Sequence, residues 1–86
     1  MPYVKQNDRK RIDPFVEELF EKLTTKGDMN YAMTRLLHLY IQREGKRYKN
    51  LNDAIGVVEC VKQEFYRKIV VPYEEEKIAE NGDIKC

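Results

Sequence analysis

The stretch ECVKQEFYRKIVVPYEEEKIAENGD, from Glu59 to Asp83, most constrains what this chain can fold into. It reads as one long helix, yet it interleaves Glu59, Lys62, Glu64 and Arg67 with Phe65, Tyr66 and Tyr73. A surface helix ordinarily keeps its charges on one face and its apolar residues on the other. Interleaving places some charges close to packed surface, where a charge is costly unless it is paired or binds something. The stretch also contains Pro72, which lacks an amide proton and crowds the turn before it. The helix is therefore expected to kink near Val70-Val71. The alternative is an extended Val70-Val71-Pro72 followed by a short helix over Tyr73 to Glu80.

Upstream punctuation marks two further helices. Asp13-Pro14 is a start signal, since aspartate caps free amides and proline suits the first turn. Phe15, Val16, Leu19, Phe20 and Leu23 follow at helical spacing, with Gly27 expected to close the segment. Asp28 is expected to cap a second helix carrying Met29, Met33, Leu36, Leu37 and Tyr40, ended by Gly45. A loop from Lys46 to Asn50 comes next, with Asn50 or Asn52 capping the third helix. There Ile55, Val58, Val61, Phe65 and Ile69 recur at steps of three and four, the spacing of a face packed on partner helices. A short helical turn begun at Asn7 is expected within an N-terminal arm over residues 1–12. Asn81-Gly82-Asp83 signals a stop, leaving residues 81–86 as a tail.

The expected fold is thus all-α: one domain over residues 1–86, a small bundle of three main helices, the third long and kinked at Pro72. A chain of 86 residues buries only about 60–65% of its unfolded surface, so self-association into a homo-oligomer is expected to supply the rest. Cys60 and Cys86 show no metal or disulfide spacing, and Cys60 is expected to be a small buried hydrophobe in a reducing cytoplasm. No apolar run is long enough to cross a membrane. The net charge of +1 argues against a nucleic-acid coat. Charge is nevertheless polarised, with Arg43, Lys46, Arg47 and Lys49 in the middle and Glu74, Glu75, Glu76 and Glu80 near the end.

Catalytic constellations are absent. There is no serine, His38 is the one histidine, and no Glu-x-x-His pair or glycine-rich phosphate loop occurs. No cofactor is expected. Two polar-aromatic groups remain. Asn30, Tyr31, Thr34 and Arg35 lie together near the start of the second helix, where an amide, a phenol and a guanidinium can read a polar ring and clamp a phosphate. Glu59, Lys62, Tyr66, Arg67 and Tyr73 form the second group, with rings for stacking and cations for phosphate. For each, the structural alternative is a polar face or salt-bridge ladder between helices, such as Glu59 with Arg35. Helix-turn-helix DNA reading is disfavoured, because the would-be recognition helix opens apolar and acidic.

The stretches YVKQNDR (Tyr3 to Arg9), DMNYAMTRLLHLY (Asp28 to Tyr40) and Glu59 to Asp83 resemble a family of small phage and bacterial proteins, a domain of unknown function. The resemblance covers nearly the whole chain and implies a stand-alone phage-type protein. In size and class the chain is also similar to the small helical oligomers with which phages capture nucleotide immune signals. The leading expectation is non-catalytic capture of a nucleotide-derived anion at subunit boundaries. In it Arg35, Lys62 and Arg67 meet phosphate, Tyr31, Tyr66 and Tyr73 stack, and Asn30 and Glu59 read polar edges. The runner-up is a module that binds and inhibits a host or phage protein. A nucleic-acid-associated regulator is third.

Overall fold

Every regular element in the computed structural model, which describes residues Tyr3 to Lys85, is helical. The chain divides into two units, one up to Leu51 and one from Asn52 onward.

In the first unit, α1 (Gln6–Arg9) is a single turn beginning one residue before Asn7. Helix α2 (Asp13–Lys22) starts at Asp13-Pro14 with proline in the first turn, but the N-cap is Ile12 without a side-chain bond, so Asp13 lies inside the helix and does not cap it. It stops at Leu23, which turns extended at φ −94° and ψ 108°, well before Gly27. The reason lies just downstream. Thr25 is the N-cap of α3 (Lys26–Glu44), and its hydroxyl accepts the Asp28 amide at 3.0 Å. Asp28 is therefore not the cap; it sits in the first turn and reaches back. Its Oδ2 accepts from the amides of Thr24 and Thr25, at 2.9 and 3.3 Å, and from the Thr24 hydroxyl at 3.1 Å. This reciprocal box satisfies amides that a helix start leaves open, and it forces the chain out of helix before Thr25. Gly27 consequently lies inside α3.

Gly45 ends α3 with φ 107°, a backbone that side-chain-bearing residues rarely adopt. Asn50, expected to open the next helix, closes this one: its Nδ2 donates to the carbonyls of Glu44 and Gly45 at 3.1 and 3.0 Å. Helix α4 (Tyr48–Phe65) has already begun at Tyr48, so Asn52 is interior as well.

In the second unit the helix runs on through Pro72. A π turn over Tyr66–Val70 joins α4 to α5 (Val71–Asn81), and Val70 and Val71 keep helical dihedrals. The disturbance caused by proline is a widened turn just before it, in which the Val71 amide donates to the Tyr66 carbonyl five residues back. Helix α5 carries the acidic segment, and Gly82 ends it at φ 83°.

Among the described residues Ala54 alone is buried. In the first unit Phe15 and Phe20 on α2 are 71% and 64% exposed. In the second, Ile55, Val61, Phe65 and Ile69 are 68%, 52%, 59% and 57% exposed. Cys60 is exposed too, against expectation. At 100° per residue it falls on the side of α4 away from Val58 and Phe65.

Candidate functional site

On α3, the side chains of Asn30, Tyr31, Thr34 and Arg35 are all exposed. Tyr31 and Arg35 are one turn apart on the same side of the helix. Arg35 has no carboxylate partner among the described residues. Its guanidinium remains available to an anion.

The α4–α5 group is organised differently. Glu59 accepts Lys62 Nζ at 3.2 Å and Gln63 Nε2 at 3.2 Å, all on its own helix. The hydrogen bond from Gln63, then the Lys62 ammonium, holds the Glu59 carboxyl below its usual range. Arg67 Nη2 reaches both carboxylate oxygens of Glu64 at 3.0 Å. These are i,i+3 pairs with the acid N-terminal to the base, the favoured orientation on a helix. Glu59, Lys62 and Arg67 are therefore exposed and paired along their own helix, whereas Glu64, with its side chain 31% exposed, is half-buried as the interleaving implied. In particular Glu59 is taken by Lys62 and Gln63, not by Arg35.

Tyr66 donates to Glu74 Oε1 at 2.9 Å, eight residues away. Eight residues of α-helix would separate two side chains by about 80°. The extra residue in the π turn cancels most of that angle, so the pair exists because of the turn. The hydrogen bond to the Glu74 carboxylate, then its charge, pushes the Tyr66 phenol up from its ordinary value. Tyr73 carries Lys77 Nζ 5.5 Å from its ring centroid, a cation–π contact at i,i+4. A shallow cleft of about 290 Å³ lies among Tyr73, Lys77, Ile78 and Ile84, where Gly82 turns the chain. Glu74 and Lys77 were absent from the expected site. Lys77 could have been found from its four-residue spacing to Tyr73, whereas Glu74 is out of phase with Tyr66 in any α-helix.

The nine expected residues thus form two sets. Arg35 keeps an open charge in the first. In the second, Lys62 is paired with Glu59, Arg67 with Glu64 and Tyr66 with Glu74. Among the described residues no cluster of His, Cys, Asp or Glu could hold a metal, and no helix is long and apolar enough to cross a membrane.

Amphipathic helices with open apolar faces and self-satisfied charges define a class of small all-α chain built on exposed helical surfaces. The chain belongs to the family described as Domain of unknown function (DUF6899), whose profile matches residues 1–84. No curated protein and no solved structure matches it.

Proposed function

We infer that this protein is a non-catalytic interaction module that docks the apolar face of α4–α5 on a protein surface. The observation that carries this reading is the line Ile55, Val61, Phe65 and Ile69, each more than half exposed on one helix. A fully buried side chain of this kind gains about 1.5–3 kcal/mol, so these four leave about 4–7 kcal/mol unrealised. That is comparable with the net stability of a whole domain, about 5–15 kcal/mol. Contiguous apolar faces of this sort mark interaction sites, whereas scattered apolar residues do not. The paired charges beside the line support the same reading, because a docked face must not strand an unpaired charge. In this reading the three long helical stretches complete their bundle by association, in the reducing cytoplasm of a bacterium or a phage-infected cell. A photo-crosslinking benzoylphenylalanine in place of Phe65 tests it in producing cells. A discrete protein adduct is expected; irradiation that returns only the unmodified chain overturns it.

A second reading has its own observation, the unpartnered Arg35 beside Tyr31, Asn30 and Thr34. It is capture of a nucleotide-derived anion by a phage-type protein, with phosphate on Arg35 and a ring on Tyr31. Lys62 and Arg67 would join only by giving up Glu59 and Glu64. The test is thermal unfolding against a panel of nucleotides, cyclic dinucleotides and cyclic oligoadenylates. Ligand at about 100 times its dissociation constant stabilises the native state by about 2.7 kcal/mol. A shift abolished by Arg35→Gln supports this reading, and a flat panel removes it.

A further inference from the structure

We propose that the bend between α3 and α4 is a further site, independent of the α4–α5 face, that binds single-stranded nucleic acid. In it a base stacks on Tyr48 and the adjoining phosphates meet Lys46 and Arg47.

The bend is held by its own hydrogen bonds, and all of it lies in the unit up to Leu51. The Gly45 amide donates to the Ile41 carbonyl at 2.8 Å, and the Arg47 amide to the Gly45 carbonyl at 3.0 Å. Asn50 Nδ2 clamps the other side, on the Glu44 and Gly45 carbonyls at 3.1 and 3.0 Å. The Leu51 amide then donates to the Arg47 carbonyl at 3.0 Å. Together these bonds fix the backbone of three consecutive exposed residues, Lys46, Arg47 and Tyr48. Successive Cα atoms are about 3.8 Å apart, so the three span at most about 7.6 Å. A loop already ordered loses little further freedom when a ligand arrives.

Tyr48 is 85% exposed, the most exposed aromatic among the described residues. The side chains of Lys46 and Arg47 have no hydrogen-bond or ion-pair partner among the described residues. Residues 43–50 contain a single carboxylate, Glu44, and Arg43 takes it at 2.8 Å. The loop therefore presents an open ring directly beside two open cations.

That pairing selects the partner. An acidic peptide would meet the cations and leave the ring in water. A lipid surface would need aliphatic side chains to insert, and residues 42–50 contain none. A nucleic-acid strand uses both groups, because every base offers a π-face to an aromatic ring while cations follow the phosphates. In a duplex those faces are already stacked on their neighbours, so the ring favours an unpaired strand. The net charge of +1 excludes a coat but not a short local contact through two cations. Two neutralised phosphates give a slope of about −1.4 for log K against log salt, with a dissociation constant of about 10⁻⁴–10⁻⁶ M at physiological salt.

The test is fluorescence anisotropy of labelled oligo-dT and oligo-rU of about 12 nucleotides, between about 50 and 200 mM salt. A duplex of equal length, heparin, a polyglutamate peptide and phosphatidylserine vesicles serve as rivals. Single strands should bind best, with the slope given above. Tyr48→Ala should weaken binding about 5- to 150-fold, and Tyr48→Phe should retain it. Lys46→Gln combined with Arg47→Gln should bring the slope close to zero. Arg35→Gln should leave binding unchanged, which separates this site from anion capture on α3. Any rival bound as tightly as the single strand overturns the proposal, and that comparison uses the parent chain alone. A Tyr48→Ala chain that keeps the parent's affinity also overturns it, as does an anisotropy that stays flat up to about millimolar protein at the lowest salt.

Discussion

Replacing Pro72 by alanine should close the π turn into ordinary α-helix. Proline withholds one backbone donor from the preceding turn, and its ring would strike a carbonyl in a tight one. The widened turn, with the Val71 amide on the Tyr66 carbonyl, already relieves that collision. Alanine therefore recovers about one net hydrogen bond, about 1 kcal/mol, rather than the ~3 kcal/mol of an unrelieved interior proline. The melting temperature should rise by about 4–8 °C. Closing the turn also removes one residue from it and rotates everything beyond by about 100°. Tyr66 and Glu74, now 2.9 Å apart, would separate. The Tyr66 phenol, pushed up by that carboxylate, would titrate near the ordinary value of about 10. Carbon-labelled tyrosine followed by NMR through alkaline pH reads this directly, and amide exchange at Val71 reads the backbone. A Pro72→Ala chain that keeps both the raised Tyr66 titration and the Val71–Tyr66 bond would show that the π turn has another cause.

Thr25→Ala removes the hydroxyl that accepts the Asp28 amide at 3.0 Å, and should destabilise the chain by about 1 kcal/mol in a thermal or urea melt; an unchanged melt would remove Thr25 as the cap that matters. The Asp28 carboxyl is held low by the Thr24 amide first, then by the Thr24 hydroxyl and Thr25. Its folded value lies below its unfolded one, so its stabilisation is full above the usual carboxylate range and disappears as pH falls through the lowered value. Melting temperatures should decline below about pH 4, and Asp28→Asn should flatten that decline. Tyr66 has the opposite sign. Its stabilisation is present below about pH 10 and lost above, and Tyr66→Phe should abolish that alkaline limb alone.

Much of the helical framework was legible in the residues. Asp13-Pro14, Gly45 and Gly82 act on their own turns, so they mark the same boundaries whatever surrounds them. The errors came where two local signals competed. Thr25-x-x-Asp28 is a capping box, and the earlier threonine overrides both Asp28 as cap and Gly27 as terminator. Asn50 can cap either of two adjoining helix ends; it closes α3 because Gly45 turns the last carbonyls of that helix toward it. The expectation of semi-buried charge holds at Glu64, whose side chain is 31% exposed, and fails at Glu59, which pairs with Lys62 one turn away on its own helix in water.

Helix content, amphipathic spacing, polarised charge and the presence of a disturbance at Pro72 follow from chemistry within about one turn, and they can be read directly from the chain. The form of that disturbance cannot. Whether proline bends the helix, breaks it or widens it depends on how the whole turn shares its hydrogen bonds. Only the folded backbone shows the widened solution. Everything downstream takes its direction from that choice, and Tyr66 meets Glu74 eight residues on because of it.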